Sequence, residues 1–188
     1  MSFVKQVILD TINFVFYLIV AVVLMKALRQ YVFQPFQVSG QSMFSTLHDQ
    51  DQMLMWKQID LERFDIVVFP EPHHHRESYV KRVIGMPGDQ IVYKDDQLYV
   101  NGHPVEENFL NQVKENSKET FTEDFDLRSL TGLDHVPAGH VFVLGDNRPK
   151  SGDSRQFGFI PISEIEGEAD FIYYPFSRFG NINKREEH

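Results

Sequence analysis

The sequence predicts a mainly β protein in which a single N-terminal transmembrane helix precedes a β-rich domain. Two observations carry this prediction. The stretch Val7–Leu28 is almost wholly apolar and has no charged side chain between Asp10 and Lys26, which is typical of a membrane-spanning helix. From about Gln37 onward, short runs rich in β-branched and aromatic residues alternate with turn residues, which is the pattern of many short strands.

Composition excludes several classes of protein. The chain has 188 residues, a formal net charge of −9 and no cysteine. An acidic chain is poorly suited to nucleic acid as its main partner, because phosphate binding needs a basic surface. Without cysteine there is no disulfide, thiol nucleophile or thiolate metal site. The charge is also uneven: residues 1–40 carry three basic side chains against Asp10, a net +2, so the remainder carries −11.

The apolar segment is predicted to be a retained membrane anchor. As a helix, its 22 residues would span about 33 Å, enough to cross the hydrocarbon core of a bilayer. A buried core helix would show one apolar stripe, whereas apolar residues surround this helix on all sides. A cleavable signal peptide would need a small-x-small site after the apolar run, and none follows Lys26. Residues 1–6 form a short tail, and 7–28 form the anchor.

The charges that flank the anchor do not fix its orientation. Lys5 and the α-amine lie at one end, and Lys26 and Arg29 lie at the other, so the positive-inside rule favours neither direction. Aromatic residues suited to the membrane interface follow at Tyr31 and shortly after it.

Residues 29–188 are predicted to form one domain of short strands. Residues 104–136 interrupt it with a polar, acidic insertion that could be a helical turn or a mobile loop. The tail 183–188 is predicted to fray. The predicted strands, which are separated by turns rich in Pro, Gly, Asp and Asn, are Asp65–Phe69, Tyr79–Ile84, Gln90–Tyr93, Gln97–Val100 and His140–Leu144.

Three polar segments stand out from the strand pattern, and each has an ordinary explanation when it is taken alone. They are Val38–Leu47 (VSGQSMFSTL), Tyr79–Asp89 (YVKRVIGMPGD) and Gly145–Arg155 (GDNRPKSGDSR). A serine beside glycine is usually a turn residue, a lysine in a strand usually faces solvent, and an Asp–Arg pair can simply tie a loop.

Taken together, the three segments resemble the bacterial type I signal peptidases, which are membrane-anchored serine proteases with a serine–lysine dyad. The family pattern has Ser-Met-x-Pro-Thr-Leu after the anchor, then Lys-Arg-Val-x-Gly-x-Pro-Gly-Asp, then Gly-Asp-Asn-x-x-x-Ser-x-Asp-Ser-Arg. The order and spacing agree over essentially the whole chain, and the small size with one anchor is similar to the Gram-positive form. The resemblance therefore implies a signal-peptidase-type catalytic domain.

The resemblance implies that Ser42 is the nucleophile and Lys81 the general base. A serine hydroxyl attacks poorly unless a base removes its proton. Lysine can act as that base only when it is neutral, which requires surroundings that lower its pKa from about 10.4. Ser151 aligns with a serine that orients the lysine amine, while Asp153 and Arg155 match a pair that braces the site.

Residues near the dyad are expected to form shallow pockets for small substrate side chains. By motif position these substrate-binding residues are Val38, Gly40, Met43, Leu47, Tyr79 and Val80. Two positions depart from the family pattern. Gly40 stands where some members carry a serine that helps to bind the oxyanion, and Ser45 stands where proline is usual, which would fix φ near −65°.

The resemblance also implies the substrate and the location. The expected substrates are exported preproteins cut after a small-x-small motif such as Ala-x-Ala, and the expected surroundings are a lipid bilayer, with the N-terminus in the cytoplasm and the catalytic domain outside. No cofactor, metal or nucleic acid is expected. One alternative stays open: a non-catalytic homologue that acts as a membrane-tethered binding or assembly factor for surface proteins.

Two further signals are discounted. The run His73–His75 invites a metal site, but neighbouring residues of a strand alternate faces and Glu71 lies between two prolines, so a solvated loop is predicted. The acidic stretch around Glu115–Asp126 is predicted to be a solvated face.

Overall fold

The computed structural model describes residues 3–58, 60–72, 77–117 and 120–182. It begins with helix α1, Phe3–Tyr31, which has 29 residues. Within it, the candidate membrane span Lys5–Tyr31 has a mean hydropathy of 2.5, and none of its apolar window is buried against the described chain. The helix is therefore longer than the apolar run 7–28, because the polar residues at both ends continue the same turns, and the predicted N-terminal anchor helix is confirmed.

Twelve short strands follow and form two antiparallel sheets. In chain order they are β1 Phe33–Gln37, β2 Gln52–Trp56, β3 Ile66–Pro70, β4 Ser78–Gly85, β5 Ile91–Lys94, β6 Gln97–Val100, β7 His103–Val105, β8 Phe125–Asp126, β9 His140–Leu144, β10 Ile160–Pro161, β11 Gly167–Tyr174 and β12 Gly180–Asn181. The larger sheet has the order β1-β2-β11-β3-β4-β9-β10, with β12 beside β11, and the smaller has the order β7-β6-β5-β8. The predicted mainly β fold is confirmed.

The larger sheet is buried on both faces at its centre. Strand β3 lies between β11 and β4, and its residues Ile66–Phe69 are all buried. Ile66 and Val68 belong to one apolar cluster, whereas Val67 and Phe69 belong to another. Because side chains alternate along a strand, these clusters cover opposite faces, which explains why this segment reads as a continuous apolar run.

The smaller sheet contains the hairpin of β5 and β6, joined at Asp95 and Asp96. Both residues have positive φ, 51° and 61°, as a two-residue turn between twisted strands requires. The side chains of this sheet pack against the β9 end of the larger sheet, where Tyr93 and Leu98 share a cluster with Phe142.

The polar insertion 104–136 is ordered wherever the structure describes it. It adds helix α2, Asn111–Asn116, strand β8, and helix α3, Leu127–Thr131. Asp126 caps α3, since its side chain accepts a hydrogen bond from the Ser129 amide at 2.8 Å. The described part of the insertion therefore contains short helices, as one of the two alternatives expects. His73–His75 and the tail 183–188 lie outside the described residues.

Candidate active site

Ser42 and Lys81 meet at the edge of the larger sheet. Ser42 lies in the turn that follows β1, and Lys81 lies on β4, where it pairs with Val67 of β3. The Lys81 Nζ atom is 2.7 Å from Ser42 Oγ and 3.1 Å from the Val80 carbonyl oxygen. Two segments 39 residues apart in sequence thus bring a hydroxyl and an amine into direct hydrogen-bond contact.

Burial makes Lys81 a base near neutral pH. Its side chain has only 3% exposure, and the Tyr79 ring lies 5.0 Å from Nζ. Loss of hydration disfavours the ammonium form and lowers the pKa of Lys81 from 10.5 to about 8, although the carboxylates of Asp153 and Asp146 oppose the shift. A lysine with this pKa has a substantial neutral fraction at physiological pH.

The third segment touches the nucleophile through a glycine and an asparagine. A Cβ at Gly145 would collide with the Ser151 side chain and the Ser42 carbonyl oxygen, so the absence of a side chain permits this close approach. The Asn147 amide N–H then donates to the Ser42 carbonyl at 3.0 Å, and its side-chain Nδ2 donates to the Gln41 carbonyl at 2.9 Å. Asn147 therefore binds the carbonyl oxygens of Gln41 and Ser42, which lie on either side of the Ser42 α-carbon.

A buried ion pair joins the three segments behind the dyad. Arg82 donates to both carboxylate oxygens of Asp146, at 3.0 and 2.8 Å, and both residues are about fully buried. The Thr46 hydroxyl donates to the same carboxylate at 2.5 Å. A bidentate pair of this kind fixes relative orientation as well as distance, so the turn that carries Ser42 is tied to β4 and to the loop after β9.

Asp153 and Arg155 form the predicted brace. Arg155 Nε donates to Asp153 Oδ1 at 2.8 Å, and the Gly145 amide donates to Asp153 Oδ2 at 3.1 Å. Ser151 differs from the prediction, because its buried hydroxyl has no hydrogen-bond partner among the described residues. The expected hydrogen bond between Ser151 and the Lys81 amine is therefore not formed in this structure.

A cavity of about 620 Å³ opens beside the dyad and contains five of the six predicted substrate-binding residues. Leu47 is the exception: it is 1% exposed and packs in the apolar core. Leu47 lies five residues after the nucleophile, and its side chain points into the core. The cavity-lining residues from the predicted set are Val38, Gly40, Met43, Tyr79 and Val80, together with Ser42 and Lys81.

The two departures from the family pattern have different structural consequences. Gly40 has φ +88° and its amide donates to Asp49 Oδ1 at 2.9 Å. Ser45 has φ +100°, a conformation that a proline ring cannot adopt. The turn after the nucleophile thus follows a path that excludes the proline usual in the family at this position.

Several residues of the site were not assigned roles from the sequence. Asn147, Asp146 and Arg82 stand within the quoted motifs, but motif letters do not reveal which side chains meet. No group of three or more metal-ligating side chains that could hold a metal ion occurs in the part of the chain described.

Comparison with known proteins agrees with this geometry. Residues 11–174 match the family described as "Signal peptidase, peptidase S26". Signal peptidase I of Bacillus caldolyticus is 46% identical over 165 residues, covering 85% of this chain and 90% of the relative. Signal peptidase I V of Bacillus subtilis strain 168 is 45% identical over 154 residues, covering 79% and 90%.

A solved structure shares the fold of the domain. The crystal structure of a signal peptidase I from Enterococcus faecalis V583 superposes with a TM-score of 0.56 at 44% identity, covering 58% of this chain and 97% of that one. Because the family pattern spans most of the sequence and the relatives match over most of their own length, this chain belongs to the signal peptidase family, peptidase S26.

Proposed function

We propose that this protein is a signal peptidase I that removes signal peptides from exported preproteins, with Ser42 as nucleophile and Lys81 as general base. The observation that carries the proposal is the 2.7 Å contact between Ser42 Oγ and the buried Lys81 amine. A hydroxyl beside a base within hydrogen-bond reach is the arrangement that nucleophilic catalysis requires.

The reaction runs in two steps. Neutral Lys81 accepts the Ser42 proton while Oγ attacks the scissile carbonyl, and the resulting ammonium then gives that proton to the leaving amine of the mature protein. The products of this step are an acyl-enzyme on Ser42 and the released mature chain. Water then attacks the ester while Lys81 takes its proton. The acyl carbon–Oγ bond breaks, Lys81 returns that proton to Ser42 Oγ, and the signal peptide leaves with a new carboxyl group.

The Ser42 backbone N–H is proposed to stabilise the oxyanion of the tetrahedral intermediate. Asn147 supports this role, since it grips the carbonyls of Gln41 and Ser42 and so fixes the peptide that carries the N–H. Gly40 has no side chain to add a hydroxyl donor. The orienting role of Ser151 stays a prediction; its hydroxyl is buried beside Gly145 and is not engaged by another described residue.

The free edge of β4 supports binding of an extended substrate. Along β4, residues 78–82 pair with β3 on one side, whereas β9 pairs on the other side only from Arg82 onward. The unpaired edge at Ser78–Lys81 lines the cavity beside Ser42. A peptide that adds there as a strand would place alternate side chains toward the enzyme.

The small-x-small preference follows from the lining of that cavity. Val38 and Met43 are almost fully buried, so their side chains form a floor that does not yield to a large substrate residue. Val80 packs against the same apolar cluster. Small residues such as alanine would fit at alternate positions, while bulky residues would be excluded sterically.

The short link between helix and domain supports a catalytic domain held close to the membrane. Helix α1 ends at Tyr31, β1 begins at Phe33, and the Lys57 amide donates to the Val32 carbonyl at 3.0 Å. The domain is thereby held close to the end of the anchor. We place 1–6 in the cytoplasm, 7–28 in the lipid bilayer, and 29–188 outside as the catalytic domain, with 104–136 as its insertion.

The test is cleavage of a preprotein with an Ala-x-Ala site by the full chain in detergent or lipid. Ser42→Ala and Lys81→Ala should each lower turnover by at least about a thousandfold, as expected when a nucleophile or its base is removed. Lys94→Ala, which removes an exposed lysine from β5, is the matched control and should retain activity.

Two outcomes contradict the proposal. Equal cleavage by wild type and both dyad variants would remove Ser42 and Lys81 from catalysis. A wild-type chain that binds the preprotein without cutting it would favour the alternative, a membrane-tethered binding or assembly factor.

A further inference from the structure

We propose that Glu107 is a positioning residue for catalysis: it holds Arg148, and through Arg148 it fixes the loop that contacts the nucleophile. The proposal rests on the proposed function of Ser42 and Lys81. It gives the polar insertion a role, because Glu107 lies there and not in any of the three motif segments.

The basis is a buried ionic cluster between the smaller sheet and the loop after β9. Glu107 and Arg148 form an ion pair with side-chain exposures of 2% and 0%. The Tyr93 hydroxyl donates to Glu107 Oε2 and accepts from Arg148 Nη1. Thr122 Oγ1 accepts from the same Nη1 atom at 3.3 Å. Three side chains, those of Tyr93, Glu107 and Thr122, thus meet around the guanidinium group of Arg148.

Because the cluster is buried, Arg148 cannot lose a partner without a large cost in free energy. A guanidinium group stays charged under all physiological conditions, so it must keep its partners when it is taken out of water. Glu107 is the anionic partner in direct contact with Arg148. Lys114 Nζ is 3.8 Å from Glu107 Oε2 and adds a second cation on the outer side. If Glu107 lost its charge, Arg148 would have to move or admit water.

Arg148 is in turn bound to the catalytic loop. Its Nε donates to the Gly145 carbonyl at 3.1 Å, and its own carbonyl accepts from Arg155 Nη2 at 2.7 Å. The neighbouring residue Asn147 holds the carbonyl of Gln41, which belongs to the same peptide unit as the Ser42 N–H, and the carbonyl of Ser42 in the next unit. Arg148 is thus fixed through its side chain and its carbonyl, and its neighbour Asn147 is fixed against the nucleophile segment.

The expected consequence is a loss of turnover rather than of substrate binding. Displacement of a catalytic group by about 1 Å can cost about 100-fold in rate, and a shifted Asn147 would move the Ser42 N–H away from the oxyanion. Neither Glu107 nor Arg148 lines the cavity beside the dyad. KM should therefore change little while kcat falls.

The experiment compares Glu107→Gln with Arg63→Gln in the full chain. Arg63 forms a 2.9 Å ion pair with Asp89 and also donates to the Ile84 carbonyl, and neither partner belongs to the loop after β9. Steady-state cleavage of an Ala-x-Ala substrate is measured at a temperature where unfolding curves show every variant folded. Glu107→Gln should lower kcat at least tenfold with KM within twofold, whereas Arg63→Gln should keep kcat within twofold.

A double variant tests whether Glu107 acts through Arg148. In an Arg148→Met background, Glu107→Gln should cause no further fall in kcat, because the residue that it positions is gone. Tyr93→Phe, which removes only the bridging hydroxyl, provides a milder variant should Glu107→Gln fail to fold, and should lower kcat by several-fold.

Each outcome has one meaning. Wild-type kcat in folded Glu107→Gln or, if that variant does not fold, in Tyr93→Phe would overturn the positioning role. Independent losses that multiply in the double variant would also overturn it. Absence of cleavage by wild type would instead refute the proposed function, so the two failures are distinguishable.

Discussion

Raising the pH from 6 to 10 should increase kcat/KM of this peptidase about 100-fold, with a midpoint near pH 8. The reason is that only the neutral amine of Lys81 can accept the Ser42 proton. The pKa of Lys81 lies at about 8 because burial disfavours the ammonium form, and kcat/KM reports the ionisation of the free enzyme.

The size of the effect follows from the pKa. With a value of about 8, roughly 1% of Lys81 is neutral at pH 6, about 10% at pH 7 and about 99% at pH 10. A solvent-exposed lysine with its ordinary pKa would be only about 0.03% neutral at pH 7. Burial therefore provides roughly 300 times more active base at that pH, and the profile should climb tenfold per pH unit below 7 before it levels off.

The assay is cleavage of a peptide with an Ala-x-Ala site and no titratable side chain near the scissile bond, at constant ionic strength and detergent. His48→Asn is the matched control. His48 stacks on Phe44 near the nucleophile turn, with ring centroids 5.2 Å apart. Desolvation lowers the pKa of His48 below 6.5, on the acid side of the midpoint expected for Lys81, so the control should keep the midpoint near pH 8.

A rate that is flat from pH 6 to pH 9 would refute the reasoning, since it would show that no group with a pKa near 8 limits the reaction. A rise centred above pH 10 would show that Lys81 is hydrated in the working enzyme. A shifted midpoint in His48→Asn would show that the rise in rate depends on His48 and not on Lys81 alone.

Three further predictions concern stability. The pKa of Lys81 is lower in the folded chain than in the unfolded chain, so the unfolded chain binds more protons between pH 8 and 10.5, and the free energy of unfolding should rise with pH across that window. Lys81→Met should abolish this rise and increase the free energy of unfolding at pH 7 by up to about 3 kcal/mol, as measured by urea denaturation. Arg82→Gln leaves the Asp146 carboxylate buried without its guanidinium partner and should lower stability by roughly 3–5 kcal/mol, a loss that a wild-type urea midpoint would contradict. Asp126→Ala removes the cap of α3 and should cost about 1 kcal/mol in thermal unfolding. We expect kcat to stay unchanged, because Asp126 does not line the cavity beside the dyad; a large fall in kcat would contradict this.

Segments with a strong local signal were predicted close to their observed bounds. The strand predicted at Gln97–Val100 matches β6, and that at His140–Leu144 matches β9. Both have dense β-branched or aromatic residues and clear turns on either side. Strand β11, Gly167–Tyr174, was not predicted although it is among the longest, because it carries two carboxylates and its strand character depends on its neighbours β2 and β3.

The site shows the same division. Motif order was enough to single out Ser42 and Lys81, and the structure brings them into contact. Motif order did not reveal that Leu47 packs inward, or that the Ser151 hydroxyl has no partner among the residues described. Such details depend on side-chain direction, which a linear motif does not contain.

By itself the sequence determined the anchor helix and the β-rich class, because hydrophobic length and strand propensity are local properties. The motifs that it shares with the family predicted Ser42 and Lys81 as the reacting pair. The tertiary structure alone decided the pKa of Lys81, the grip of Asn147 on the nucleophile peptide and the burial of Glu107 against Arg148. These features arise from contacts between residues tens of positions apart, where dielectric surroundings and hydrogen-bond geometry are set by packing and not by neighbours along the chain.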